Sequence, residues 1–231
     1  VHGYYKLIVF APNSVQEMHD HVAEAFDLAF KYRNPAMILA DGAIGQMMEK
    51  VVLAPQRPRK TDEELKAECD AWAAMGKPSG RGRNVVTSLE LQSEKMEIIN
   101  QRLQAKYKAL EENEVRFEAV GCDDADYVIV AFGSSARICS ATVEMARAEG
   151  LKVGLLRPIT LYPFPSKQIA DLAVRGVKGF LSAELNAGQM VEDVRLAVNG
   201  KAPVEHYGRQ GGMMFNPGEV LAALKDKLIK K

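Results

Sequence analysis

The chain has 231 residues, with thirty Lys and Arg against thirty Asp and Glu, and a pI near 7.1. That is room for one large or two modest domains. Zero net charge argues against a nucleic-acid partner, which calls for a basic excess on one face. A composition 47% hydrophobic and 26% charged excludes a largely disordered chain. No apolar run approaches the ~18 residues that cross a bilayer, so no membrane partner is expected.

Cys69, Cys122 and Cys139 form no C-x-x-C pair. Neither a zinc ribbon nor a self-contained iron–sulfur site is therefore available. Reduced, scattered thiols fit a cytoplasmic protein. His19 and His21, two apart on a helix, point about 200° apart and cannot share a metal, so no metal ligands are assigned.

Leu7–Phe10 is a fully apolar strand of the kind buried in a parallel sheet. Pro12 breaks it, and Ser14 with Glu17 forms a capping-box start. The helix then carries Val15, Met18, Val22, Ala25, Phe26, Ala29 and Phe30 on one face until Asn34-Pro35 stops it. Met37–Ala40 is the next strand, ending at Asp41-Gly42. A single strand–helix–strand unit cannot cover both faces of its sheet, and the chain opens Val1-His2-Gly3 without a methionine. Residues 1–50 therefore read as the tail of a larger domain.

Residues 51–120 form a helical arm with no convincing strand until its end. Thr61 with Glu64 opens a helix reaching about Met75. Gly76–Arg83, with three glycines and three basic residues, is an exposed loop. A longer helix follows, with Met96, Ile99, Leu103, Tyr107 and Leu110 in one stripe.

Residues 121–231 alternate strand and helix. Tyr127–Phe132, Lys152–Leu156, Gly179–Ala183 and Val204–Tyr207 are strands. Helices run over Ala136–Glu149, Ser166–Arg175 and Gly188–Val198, and a last one opens at Pro217 in the first helical position. The fold class is α/β, an open, mostly parallel sheet with helices on both faces. The turn Gly133-Ser134-Ser135 offers amides to an anion, although no phosphate-loop fingerprint accompanies it and a plain turn is the simpler reading.

Three strings lie at the carboxyl ends of strands, where such sheets meet ligands or partners. They are Leu156–Pro165 with its three prolines, Glu184–Met190, and Gly208–Gly212. Together with Ala11–Met18, they resemble the alpha subunit of 2-oxoacid:ferredoxin oxidoreductases, the 2-oxoisovalerate (3-methyl-2-oxobutanoate) type in particular. The likeness runs over essentially the whole chain.

The resemblance implies the C-terminal part of a thiamine-diphosphate pyrimidine-binding domain, an interdomain arm, and a domain like the C-terminal domain of transketolase. It implies oxidative decarboxylation of a 2-oxoacid to an acyl-CoA, with electrons passing through iron–sulfur clusters to ferredoxin. A beta subunit would supply the diphosphate-and-magnesium half, and small subunits the clusters. No cofactor is expected on this chain alone, no catalytic residue can be carried over to it, and alone it should be inactive. His2, Gly3 and Tyr4 resemble a loop bordering the active-site mouth. Arg157, Asn186, Gln189 and Arg209 are the candidate subunit contacts. Two rivals stay open: a transketolase or 2-oxoacid dehydrogenase beta-type subunit, and a non-catalytic assembly domain.

Overall fold

A computed structural model describes residues 6–74, 76, 80 and 82–230. They divide into two compact units, one made of the residues up to Val52 together with those from Lys106 onward, the other of Leu53–Ala105.

The first unit opens with strand β1 (Ile8–Phe10), wholly buried. Helix α1 (Val15–Tyr32) starts where Ser14 Oγ accepts from Glu17 N at 3.2 Å, and ends at Arg33 in the left-handed region (φ 43°). Strand β2 (Ala36–Ile38) returns parallel to β1. The short helix α2 (Gly42–Gln46) is capped by the Asp41 side chain.

The third member of this sheet comes from far along the chain. Strand β6 (Thr160–Tyr162) pairs antiparallel with β1, Val9 opposite Tyr162 and Phe10 opposite Thr160. From sequence this stretch is an excursion of the C-terminal domain. Pro158, Pro163 and Pro165 instead hold three residues extended between them, and the pairing continues as Ala11 N donates to Ile159 O at 2.8 Å.

The larger sheet has the order β3–β5–β4–β7–β8. Its strands are β3 (Phe117–Val120), β4 (Tyr127–Val130), β5 (Val153–Pro158), β7 (Gly179–Glu184) and β8 (Val204–Gly208). All pairings are parallel except β3 with β5. The sheet therefore begins at Phe117, four residues before the expected boundary. Val115, Phe117 and Ala119 alternate with Arg116 and Glu118 and so mark a strand at the end of the arm, but every β3 residue is solvent-facing, and nothing in the sequence joins it to the sheet that follows.

Helices α5 (Gly133–Ala148) and α8 (Pro217–Leu224) cover one face, and α6 (Ser166–Val174) and α7 (Met190–Val198) the other. Ile129 packs with Cys139, Val143, Leu155 and Leu221 on the first side. Its neighbours Val128 and Val130 pack with Ile169, Phe180 and Val194 on the second. This alternation puts both faces of β4 in a core, hence its unbroken apolar run.

Helix α4 (Ser93–Asn113) ends in the first unit, where Tyr107 and Leu110 are buried. In the second unit, α3 (Asp62–Cys69) has a complete capping box between Thr61 and Glu64 and buries no residue. It stops well short of Met75. Asn84 Nδ2 there donates to Asp70 O at 2.9 Å and Ala73 O at 3.1 Å.

Candidate functional site

The chain runs from β4 to β5 on one side of the large sheet, then crosses to β7 on the other. The carboxyl ends of β4 and β7 are thus the switch point where open sheets form a ligand crevice. A groove of about 450 Å³ lies there. Phe132 follows β4, while Glu184, Asn186 and Gln189 follow β7. The opposite wall is apolar, from Leu7, Val9, Met37 and Leu39 of the first sheet with Leu161 and Phe164.

Two helices start at this point, and the chain's own carboxylates occupy both N-termini. Glu184, 1% exposed, accepts from Ser182 Oγ at 2.9 Å and from the amides of Gln189, Met190 and Val191 at 3.0, 2.8 and 2.9 Å. Asp41 accepts from Ala43 N and Ile44 N, each at 3.0 Å, and also from Ser134 N at 3.1 Å and Ser134 Oγ at 2.9 Å. One carboxylate therefore ties the start of α2 to the start of α5.

Burial alone would raise the Asp41 carboxyl, but its bonds from Ile44, Ser134 and Ala43 outweigh this and hold it below the usual range. Gly133 suits this approach: its backbone is left-handed at φ +56°, where a side chain is strained, and a Cβ there would crowd Asp41 Oδ2 at 3.3 Å. The anion seat read from Gly133–Ser135 is thus filled from within the chain.

Of the residues singled out from sequence, Arg157 requires correction. It lies on β5 between two packed faces, and its side chain is 3% exposed. Its Nη2 and Nη1 donate to Glu17 Oε1 at 2.6 Å and Oε2 at 3.1 Å, and its Nε lies 3.2 Å from Glu118 Oε2. A guanidinium buried in a strand must find its carboxylate inside, so Arg157 is not offered to another subunit. For Glu17, burial pushes the carboxyl up, while Arg157 and the Asn13 amide more than compensate and leave it lowered.

Asn186 is half-buried, its Oδ1 accepting from Gly188 N at 2.7 Å in a local turn. Gln189 is exposed on the groove wall. Arg209, half-buried, pairs with Glu219 at 2.9 Å. The first two share the groove, while Arg209 belongs to the neighbouring loop. Gly208 stands between the two loops with no room to spare, as a Cβ there would meet Asn186 O at 2.2 Å. His2, Gly3 and Tyr4 lie outside the described residues.

His21 Nδ1 is 2.8 Å from Glu24 Oε2 and its ring stacks on Phe10 at 4.8 Å. Sequence reading missed Asp41, and also the pair Glu49–Arg137 (2.6 Å), whose members hold Val15 N and Asn13 O. Asp41-Gly42 directly after a strand was the one available signal.

The family model "Pyruvate flavodoxin/ferredoxin oxidoreductase, thiamine diP-bdg" matches residues 4–113. The model "Pyruvate:ferredoxin oxidoreductase core domain II" matches residues 125–220, so the two together account for most of the chain in the order expected. The ketoisovalerate oxidoreductase subunit VorB of Methanothermobacter marburgensis is 46% identical over 97% of this chain. The chain belongs to the 2-oxoacid:ferredoxin oxidoreductase family.

It spans 61% of the length of that VorB relative. The 2-oxoglutarate synthase subunit KorA of the same organism is 32% identical, over 95% of this chain and 64% of the relative. Among solved structures, the 2-oxoglutarate:ferredoxin oxidoreductase from Magnetococcus marinus matches with TM-score 0.75 at 20% identity, over 98% of this chain and 43% of that one. A split gene transketolase matches with TM-score 0.54 at 14% identity, over 97% and 58%. The expected α/β fold class holds: a match to the thiamine-diphosphate-binding part of the family is followed by a match to its core domain II, with a likeness in fold to transketolase.

The described residues do not fit the diphosphate-and-magnesium half of thiamine diphosphate. Magnesium needs convergent oxygen ligands, and no group of three or more His, Cys, Asp or Glu side chains converges among the described residues. Asp41 and Glu184 are committed to helix N-termini and Glu17 to Arg157. A cluster needs about four thiolates, and of three cysteines Cys122 and Cys139 are buried. No step of the reaction is routed through these residues.

Proposed function

We propose that the chain works as part of the alpha subunit of a thiamine-diphosphate-dependent enzyme that converts a 2-oxoacid, CoA and oxidised ferredoxin into acyl-CoA, CO2 and reduced ferredoxin. The carbon–carbon bond to the carboxylate breaks, the acyl carbon is oxidised, and its electron pair leaves for two ferredoxins as the thiol proton is released. The favoured substrate is 2-oxoisovalerate. One observation carries this choice: identity is 46% with ketoisovalerate oxidoreductase subunits but 32% or less with 2-oxoglutarate synthase subunits.

Within such an enzyme the chain supplies architecture. Magnesium and the diphosphate site belong to a beta subunit, the clusters to small subunits, and the assembly works in the cytoplasm. No described helix is long and apolar enough to cross a membrane. Asn186, Gln189 and Arg209 are the proposed subunit contacts, because their loops end the parallel strands of the large sheet.

The test is anaerobic purification of the whole complex, followed by CoA-dependent reduction of ferredoxin or a viologen dye. Turnover is expected to be fastest with 2-oxoisovalerate. Preference for 2-oxoglutarate or pyruvate would overturn the substrate, and no reduction by a cofactor-loaded complex would overturn the reaction.

A further inference from the structure

The turn from Ala11 to Ser14, between β1 and α1, is held more firmly than a helix start requires. Capping by one side chain such as Ser14 ordinarily suffices, at about 1 kcal/mol. Here Glu17, at the position that would close a capping box, is drawn away from Ser14 N. Its Oε2 accepts from Asn13 N at 2.9 Å, and both its oxygens accept from Arg157, 140 residues on. Arg137 donates to Asn13 O at 3.2 Å and pairs with Glu49, which accepts from Val15 N at 3.0 Å. Ala11 N is fixed by Ile159 O. Three distant segments, at Glu49, Arg137 and Arg157–Ile159, thus hold one short turn.

That turn is placed where geometry matters. It leaves the carboxyl end of β1, and a Cβ on Gly133 at the end of β4 would lie 3.8 Å from Pro12 O. The carboxyl ends of the two sheets therefore meet at this turn, beside the switch point where open sheets seat ligands. Stability is a poor reason for the Arg157–Glu17 pair. The guanidinium is stripped of water, its Nε lies 3.2 Å from Glu118 Oε2 without forming a hydrogen bond, and apolar replacements of buried pairs are often neutral or stabilising.

We infer that Arg157 is a positioning residue for the reaction proposed above: acting through Glu17, it fixes the turn at Ala11–Ser14 in the shape the assembled active site requires. The inference rests on that reading of the function. Arg157 touches no reacting atom in this scheme.

The experiment uses the complete complex, carrying either the double substitution Glu17→Met/Arg157→Met or the single Arg157→Lys. The double variant is expected to assemble and melt close to wild type. Its kcat with 2-oxoisovalerate should fall about ten- to a hundredfold, the scale of a displaced active-site element, and the amide of Asn13 should exchange faster. Arg157→Lys keeps the charge but loses the two-pronged grip, and should fall between. Wild-type kcat in the double variant, or a kcat loss matched by lost assembly and lower melting, overturns the inference alone. A wild-type complex that turns over no 2-oxoacid overturns the proposed function, and this inference with it.

Discussion

Replacing Glu184 by glutamine changes one atom and tests the account of the switch point. Oε1 takes Ser182 Oγ and Val191 N, and Oε2 takes Gln189 N and Met190 N. Glutamine best keeps its carbonyl at the Oε2 place, which saves two amides. Its NH2 then faces the Val191 amide, donor against donor, while the Ser182 hydroxyl can turn and accept. One orphaned buried donor costs about 1–3 kcal/mol, and the two retained bonds lose their charge assistance, roughly 1 kcal/mol more. Relief from burying a charge works the other way. The net expectation is about 2–3 kcal/mol, a melting temperature lower by roughly 8 °C in a chain of this size. Ser182→Ala leaves all three amides satisfied and should cost only about 1 kcal/mol. Thermal unfolding by circular dichroism, with amide exchange at Val191, makes the comparison. A Glu184→Gln protein melting within a few degrees of wild type, or no lower than Ser182→Ala, would refute the reasoning.

Two further outcomes follow from the titratable groups. Glu17, Asp41 and Glu49 all have carboxyls held below their ordinary values of 4.5, 3.8 and 4.5, Glu49 chiefly by Arg137 and the Val15 amide. Between each lowered value and the ordinary one the unfolded chain binds a proton the folded chain does not, so their stabilisation is present above about pH 5 and lost as pH falls through the folded values. The urea midpoint should therefore decline below about pH 4, and a midpoint that rises there contradicts the assignment. Burial pushes the Cys139 thiol up to about 12 and the Cys122 thiol up to about 11, while Cys69 is only half-buried. Iodoacetamide at pH 8 should modify one thiol per native chain by intact mass and three in denaturant, and rapid modification of all three natively would show the core to be open.

The elements read most clearly from the sequence are those with a strong period or a dry environment. The α1 stripe ending at Asn34-Pro35 and the apolar run at Tyr127 are visible because burial on one face or two dictates the residue pattern. Strand β3 was legible as a strand at the end of the arm, from its alternation, but its place at the edge of the large sheet was not, because it is exposed throughout and pairs with a strand some forty residues on. Strand β6 escaped for a different reason: its prolines reveal an extended segment, but pairing partners far apart in sequence leave no local mark. Arg157 looked like a surface group because a charge is normally solvated, and only the fold shows Glu17 waiting inside. Asp41, likewise, carries two helix starts whose closeness exists only in three dimensions.

The strand β6 crossing has a bearing on synthesis. Val9 meets its partner Tyr162 about 150 residues later. As the polypeptide leaves the ribosome at 5–20 residues per second, β1 and β2 emerge well before β6 and must wait with one flank of β1 unpaired until the Arg157–Pro165 stretch arrives. Long-range closures of this kind fold slowly. The β1–β2 pair is therefore a segment that depends on protection during synthesis: a stall before β6 has left the ribosome would leave the flank of β1 unpaired, whereas a later stall would find it covered.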